Sequence, residues 1–260
     1  MVSAALFSLR DITFDFPGHP VLRRVDFDLY PGERVALIGA NGAGKTTLLR
    51  LMVGLHHPLA GEIRAFGRVR KTEDSFHEVR LRTGLLFQDP DDQLFCPTVL
   101  EDVAFGPLNQ GRSRQEALAI SDSVLTTLGL GPLAQRVTHK LSGGEKRLVS
   151  LATVLAMQPE VLLLDEPTNG LDEATERRMI EHLEQLPMAM LFITHDRRFV
   201  ERLASRAVLL REGGLQQALL HTHPHRHTHS HLHIHAAEDV ARGHARDDEM
   251  PEHGDHQHGE

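Results

Sequence analysis

Residues 39 to 46 read Gly39-Ala40-Asn41-Gly42-Ala43-Gly44-Lys45-Thr46 and match the pattern G-x-x-x-x-G-K-[ST]. In this pattern the glycines let backbone N–H groups wrap around phosphate oxygens. An apolar strand pattern at 34–38 precedes the loop, and an apolar helical pattern at 45–55 follows it. We expect Lys45 to reach the β and γ phosphates and Thr46 to bind magnesium, with Thr47 as a further binding residue. The alternative is a plain glycine turn.

Two carboxylates, Asp165 and Glu166, follow a second apolar strand at 161–164. Ligands bind at the C-terminal ends of strands in open α/β sheets. Phosphoryl transfer needs an acid that holds magnesium and a group that orients the attacking water. We expect Asp165 to hold the metal and Glu166 to polarise the water. The alternative is a strand that ends in acidic capping residues.

A third motif, Leu141-Ser142-Gly143-Gly144-Glu145, precedes an amphipathic helical pattern at 146–157. Ser142 can cap that helix, and the paired glycines leave backbone N–H groups open to an anion. Alone, this is an ordinary helix start. Together with the other two motifs, and in the same order, it resembles the LSGGQ signature of the ABC ATPase family. The resemblance covers about residues 6–213.

The resemblance implies an α/β fold, namely a P-loop NTPase (RecA-like) core with a small antiparallel β layer and an inserted helical subdomain. The alternating apolar and polar residues at 6–16 and 25–30 are typical of such a layer. We predict an ATPase domain at 1–218, with its helical subdomain at about 90–158. A His-rich tail at 219–260 is predicted to be disordered, since it is polar and of low complexity.

Further site residues follow from the resemblance. Phe16 is similar to the aromatic residue that stacks on adenine, and Gln88 to the glutamine that contacts magnesium and the attacking water. Asp172 is similar to the D-loop acid, and His195 to the switch histidine at the γ-phosphate. A lone histidine after a strand is more often structural. The assignment of His195 as the switch histidine therefore depends on its place in the motif order.

In this family each ATP lies between the phosphate loop of one subunit and the signature of the other. Signature residues 142–145 would therefore bind the ATP of a partner subunit. Both half-sites look intact, which favours a homodimer over a heterodimer with one degenerate site. Two departures from the family pattern remove no phosphate ligand: Glu145 replaces the usual glutamine, and Leu148 stands where many relatives have arginine, with Arg147 one place earlier.

The segment Phe87-Gln88-Asp89-Pro90-Asp91-Asp92-Gln93-Leu94-Phe95 and the stretch 98–107 resemble the ATPases of energy-coupling-factor importers, most closely the cobalt and nickel branch. This implies that the protein hydrolyses ATP to energise cobalt or nickel import through separate integral membrane subunits, with residues 89–105 as the docking surface. The loop could instead only pack the helical subdomain. Alternative functions are import of another small substrate such as a vitamin, a soluble ATPase acting on ribosomes or DNA, and metal storage.

Composition and sequence pattern argue against some of these functions. The formal net charge of −8 and the lack of a long Lys/Arg block argue against nucleic acid as a partner. The single cysteine, Cys96, cannot form an internal disulfide, which fits a reducing compartment. The N-terminus lacks a signal-peptide pattern, and no apolar run approaches the roughly 20 residues that cross a bilayer. We expect a peripheral protein on the cytoplasmic face of the cell membrane, held there by its partners.

The tail alternates histidine with other residues between positions 221 and 235. Imidazole suits borderline metals such as nickel, cobalt, zinc and copper. Alternate residues of an extended strand lie about 6.6 Å apart, too far to share one metal unless the chain bends. A solubilising extension is the alternative to a transition-metal site. The candidate ligands are His221, His223, His225, His227, His229, His231, His233 and His235.

Overall fold

The computed structural model describes residues 4–224 and 230–236. The strands are β1 (Phe7–Phe16), β2 (His19–Leu29), β3 (Arg34–Ile38), β4 (Ala60–Ala65), β5 (Arg68–Arg70), β6 (Thr83–Leu86), β7 (Val161–Asp165), β8 (Ala189–Ile193), β9 (Arg206–Arg211), β10 (Gly214–Pro224) and β11 (Ser230–Ala236). The helices are α1 (Lys45–Met52), α2 (Glu73–Arg82), α3 (Val99–Asn109), α4 (Arg114–Thr127), α5 (Gly143–Ala156), α6 (Glu173–Glu184) and α7 (Arg197–Leu203).

The antiparallel layer has the strand order β2-β1-β4-β5. β1 and β2 form a hairpin in which Phe16 pairs with His19, so β2 begins directly after the turn rather than at residue 25. Gly18 makes this possible with a φ of 77°, a conformation that side chains disfavour. The inward residues of this layer share one apolar core with α1 and with one face of the central sheet.

The central sheet has the order β11-β10-β9-β3-β8-β7-β6, and its strands from β9 to β6 run parallel. β7 and β8 are buried along their whole lengths, as expected for parallel strands covered on both faces. The apolar runs at 34–38 and 161–164 predicted β3 and β7 to within one residue. β10 continues past residue 218, and β11 lies within the segment for which the sequence predicts disorder.

Three helices, α3, α4 and α5, lie between β6 and β7 in the sequence and pack on one another. α5 begins at Gly143, three residues before the predicted start, because Ser142 accepts a hydrogen bond from the Glu145 N–H and so caps the helix. In the part of the chain that the structure describes, no helix is both long enough and apolar enough to span a membrane.

Candidate nucleotide-binding site

The three segments that carry the predicted chemistry meet at one edge of the central sheet. The glycine loop follows β3, Asp165 ends β7, and His195 follows β8. β8 lies between β3 and β7 in the sheet, and all three strands are parallel, so their carboxyl ends share one edge. This is the edge at which open α/β sheets bind ligands.

The glycine loop is shaped by positions that tolerate no side chain. Gly39 has a φ of 155°, and a Cβ there would lie 2.5 Å from the Leu210 carbonyl oxygen. Gly44, with a φ of 103°, would bring a Cβ to 2.6 Å from Val21 Cγ1. The loop therefore runs close to its neighbours and leads straight into α1, whose first N–H groups are free for an anion.

Lys45 lies under this loop and is 8% exposed. Its Nζ donates hydrogen bonds to the carbonyl oxygens of Gly39 at 2.7 Å and Ala40 at 2.9 Å. Burial lowers the pKa of Lys45, and the nearby carboxylates of Glu166 and Asp165 partly offset that effect. The ammonium group is thus held at the loop where phosphate oxygens would lie.

Thr46 and Asp165 bring together two oxygen atoms of the kind that bind magnesium. Thr46 Oγ1 donates a 2.7 Å hydrogen bond to Asp165 Oδ2. Adjacent oxygen ligands of an octahedral magnesium ion lie about 2.9 Å apart, because each Mg–O bond is about 2.0–2.1 Å. The two side chains therefore fit neighbouring positions around magnesium. Burial raises the pKa of Asp165, and the hydrogen bond from Thr46 opposes that shift.

Glu166 lies beside His195, with 3.2 Å between Glu166 Oε1 and His195 Nε2. The same His195 nitrogen lies 3.2 Å from Asn41 Oδ1 of the glycine loop. Glu166 has a φ of 47°, an uncommon value for a residue with a side chain. Its backbone N–H donates to the Ile193 carbonyl oxygen at 2.9 Å, which ties β7 to the end of β8. This arrangement places a carboxylate, an imidazole and the loop in contact.

A cavity of about 830 Å³ connects these groups. Its lining includes the predicted residues Phe16, Asn41, Gly42, Gly44, Lys45, Thr46, Thr47, Gln88, Asp165 and Glu166. Gln88 is exposed and reaches the cavity from the segment after β6. An adjoining cavity of about 390 Å³ contains His195 and shares Gln88 and Glu166.

Phe16 is 41% exposed at the mouth of the larger cavity. It packs edge to face against Phe14, with ring centroids 5.0 Å apart, and against His56 at 5.7 Å. His56 also stacks on Phe14 at 5.3 Å. The contacts of His56 arise from the tertiary fold, and no sequence motif indicated them.

The signature is not part of the cavity in its own chain. Ser142 is exposed and caps α5, and the Glu145 carboxylate accepts hydrogen bonds from the Ser142 N–H at 2.8 Å and from Arg136 at 2.9 Å. These bonds, with the Ser142 N–H as the largest contributor, lower the pKa of Glu145. Asp172 caps α6 by accepting hydrogen bonds from two backbone N–H groups. None of the residues 142–145 or Asp172 lines either cavity described above.

Arg147 is a residue whose role the sequence did not reveal. It is 3% exposed, and its guanidinium donates hydrogen bonds to the carbonyl oxygens of Phe87 and Gln88. Burial lowers the pKa of Arg147, while Asp89, Asp165 and Glu166 raise it. The helix that starts at the signature is therefore fixed to the segment that carries Gln88.

Among the candidate tail ligands, His225, His227 and His229 lie outside the described residues. His221 and His223 belong to β10, and His231, His233 and His235 belong to β11. Among the described residues that could be searched for such sites, no group of three or more His, Cys, Asp or Glu is placed to hold a metal ion.

A family model described as ABC transporter matches residues 22–169. A putative ABC transporter ATP-binding protein of Brucella suis is 57% identical over 218 residues, which cover 84% of this chain and 91% of the relative. An energy-coupling factor transporter ATP-binding protein of Methanothermobacter thermautotrophicus is 42% identical over 215 residues, which cover 81% of this chain and 69% of the relative.

Solved structures share the fold. CbiO1 of Clostridium perfringens, described as part of the ABC transporter complex CbiONQ, superimposes with a TM-score of 0.72 at 30% identity over 81% of this chain and 86% of that chain. A bacterial ABC transporter cassette solved as a dimer, MJ0796, gives a TM-score of 0.73 at 25% identity over 81% and 97% of the two chains. The predicted fold class is confirmed.

Proposed function

The chain belongs to the ABC transporter family of ATP-binding proteins, and from this premise we propose that it energises the import of a transition-metal ion, cobalt or nickel, through separate membrane subunits. The activity itself is ATP hydrolysis, which the family and its solved structures establish. The proposal concerns what that hydrolysis drives.

The residues of the candidate site would have separate roles in ATP hydrolysis. The glycine loop and Lys45 would hold the phosphates, and Thr46 and Asp165 would hold magnesium. A bound magnesium ion would neutralise charge on the phosphates. Glu166 would accept a proton from the attacking water, and His195, 3.2 Å from it, would steady the carboxylate and contact the γ-phosphate. Phe16 would stack on the base at the cavity mouth.

ABC cassettes act as dimers together with membrane subunits. The signature residues and Asp172 lie away from the cavities of their own chain, which fits a dimer. We extend this to a homodimer, because this one chain carries both half-sites in intact form. A second copy would bring the exposed Ser142 to the first copy's phosphates. Each of the two ATP molecules would then be enclosed by both subunits.

The observation that supports binding to a membrane subunit is an exposed pair of aromatic residues in the predicted docking surface, residues 89–105. Phe95 and Phe105 are 65% and 43% exposed, and their rings pack edge to face with centroids 4.8 Å apart. Leu108, on the same helix as Phe105, is 43% exposed. Exposed apolar groups that lie together mark interaction sites, and this pair suits an apolar helix of a membrane subunit.

The metal is proposed from two independent features. One relative is an energy-coupling factor ATPase, and one structural neighbour is part of the CbiONQ complex. The tail alternates histidines over residues 221–235, a composition that suits nickel, cobalt or zinc. We place the ATPase at the cytoplasmic face, where the tail would meet metal after its entry.

Uptake into vesicles tests the proposal. The chain would be purified together with the membrane proteins that bind it, reconstituted, and supplied with ATP and radioactive nickel or cobalt. We expect ATP-dependent metal accumulation that Glu166→Gln abolishes. Accumulation of a vitamin without either metal would overturn the choice of substrate. Co-purification with ribosomes or DNA in place of a membrane protein would overturn the transport function.

A further inference from the structure

The register of the hairpin formed by β10 and β11 pairs histidines across the two strands. The strands are antiparallel, and His221 lies opposite His233 while His223 lies opposite His231. Two residues further from the turn, Leu219 lies opposite His235. Both strands therefore carry a histidine at every second position over residues 221–223 and 231–235, and both histidines of β10 lie opposite histidines of β11.

This pairing removes the distance problem of a single strand. Neighbouring histidines on one strand, such as 221 and 223, are about 6.6 Å apart along the chain. Directly opposite residues of an antiparallel pair have Cβ atoms only about 4.5–5.5 Å apart and lie on the same face. The chain therefore needs no bend to bring two imidazole-bearing positions to one metal ion.

The register also separates the two faces by chemistry. Positions 219, 221, 223, 231, 233 and 235 share one face because residues two apart, and residues directly opposite, lie on the same side of a sheet, and all of them except Leu219 are histidines. The other face carries Leu220, Thr222, Leu232 and Ile234. A slip of one residue in one strand would place histidines opposite apolar residues, so the sequence pattern favours the observed register.

We infer that this hairpin forms a transition-metal site in which His221 and His233 supply one ligand pair and His223 and His231 the next. The inference rests on the proposed binding of metal by the tail and specifies which histidines form the site. Zinc, nickel and cobalt accept imidazole nitrogen, with metal–nitrogen bonds of about 2.0–2.1 Å for zinc. Binding there would fasten β11 to β10, whose first residues pair with β9 of the nucleotide-binding sheet.

Equilibrium dialysis of the full chain against nickel compares two double variants that remove equal numbers of histidines. His221→Ala with His233→Ala removes an opposite pair, and His227→Ala with His229→Ala is the matched control. We expect the first to weaken the tightest nickel site at least about tenfold, since loss of a supporting group alone costs that much at metal sites. The control should change it less than about twofold. Basal ATP hydrolysis should be unchanged in both.

An equal loss of nickel affinity in the two double variants would overturn the hairpin site. It would show that the histidines of the tail bind metal interchangeably. Absence of nickel binding by the unmodified chain would instead contradict the proposed binding of metal by the tail. The two failures are therefore distinguishable.

Disulfide trapping tests the register independently of metal affinity. In a Cys96→Ser background, Leu220→Cys with Ile234→Cys creates an opposite pair, and Leu220→Cys with Leu232→Cys creates a pair displaced by two residues. A disulfide needs Cβ atoms about 3.5–4.5 Å apart, which favours the opposite pair. We expect the opposite pair to oxidise faster, and faster still with nickel. Equal rates for the two pairs would show that the register is wrong.

Discussion

The guanidinium of Arg147 donates a hydrogen bond to the backbone carbonyl oxygen of Gln88. A second hydrogen bond, of 2.7 Å, runs to the carbonyl oxygen of Phe87. Both of these hydrogen bonds from the buried arginine therefore run to backbone carbonyl oxygens. A helix that begins at the signature is thereby linked to a residue that lines the nucleotide cavity.

Arg147→Lys should lower kcat by about tenfold to a hundredfold and leave KM for ATP nearly unchanged. Lysine keeps the charge but cannot donate two directed hydrogen bonds at once, and each such bond from a charged group contributes about 1.5–3 kcal/mol. Gln88 would lose its position, whereas the phosphate contacts of the glycine loop would remain. Steady-state kinetics over a range of magnesium concentrations measures the effect.

Lys146→Ala is the matched control for Arg147, since it changes the preceding residue of the same helix. Lys146 makes an ion pair with the exposed Asp91, and such surface pairs contribute at most about 1 kcal/mol. An Arg147→Lys protein that raises KM as much as it lowers kcat would indicate a general packing role instead.

Glu166→Gln should still bind ATP but lower the hydrolysis rate by roughly a hundredfold to ten-thousandfold, the usual contribution of a general base. The amide keeps the size of the side chain and loses the proton acceptor. ATP should therefore persist between two subunits, and size-exclusion chromatography with ATP and magnesium should show a dimer. Hydrolysis at the unmodified rate would exclude Glu166 as the base.

Lys45→Ala should weaken ATP binding itself by about tenfold to a hundredfold, because it removes a charged donor to the phosphates. Fluorescent ATP analogues measure the affinity directly. Glu166→Gln serves as the comparison, since it should bind with nearly unmodified affinity. Tight binding by Lys45→Ala would contradict a role for this residue at the phosphates.

Phe95→Ser combined with Phe105→Ser should uncouple hydrolysis from transport. Both rings are exposed, so the subunit alone should keep its ATPase rate. Binding to the membrane subunits should fall, because exposed aromatic residues often provide much of the energy of an interface. Pull-down and vesicle uptake measure this, with Leu59→Ser as an equally exposed control elsewhere. Loss of ATPase activity in the double variant would show that the pair is structural.

The sequence predicts the parts of the candidate nucleotide site because each part is a short local motif next to a buried strand. The strands β3, β7 and β9 each contain a run of four consecutive apolar residues, which is typical of a strand buried on both faces. Polar segments were harder to predict: α2 starts with a capping box at Thr72 and Ser75, yet only Phe76 and Val79 of that helix are buried. No apolar stripe marks this helix, so the sequence does not predict it.

Contacts between distant segments could not be predicted from the sequence. His56 lies beside Phe16, and Asn41 lies beside His195, only because the fold joins separate strands and loops. In the sequence, Arg147 stands one place before the position at which many relatives have an arginine, and this gives no indication of its contacts. Its carbonyl contacts depend on how α5 packs against the segment after β6.

Deletion of residues 221–260 should leave basal ATP hydrolysis intact and remove most bound nickel or cobalt. The deletion retains residues 214–218, which pair with β9, so the edge of the nucleotide-binding sheet stays complete. Equilibrium dialysis gives the metal stoichiometry, and a coupled assay gives the ATPase rate. In the full chain, metal binding should weaken as the pH falls below about 6.5, where protons compete for imidazole nitrogen. Replacement of the same residues by a Gly/Ser-rich segment of equal length controls for chain length. A truncated protein that keeps its metal would place the site elsewhere, and one that loses ATPase activity would show that the ATPase domain extends beyond residue 220.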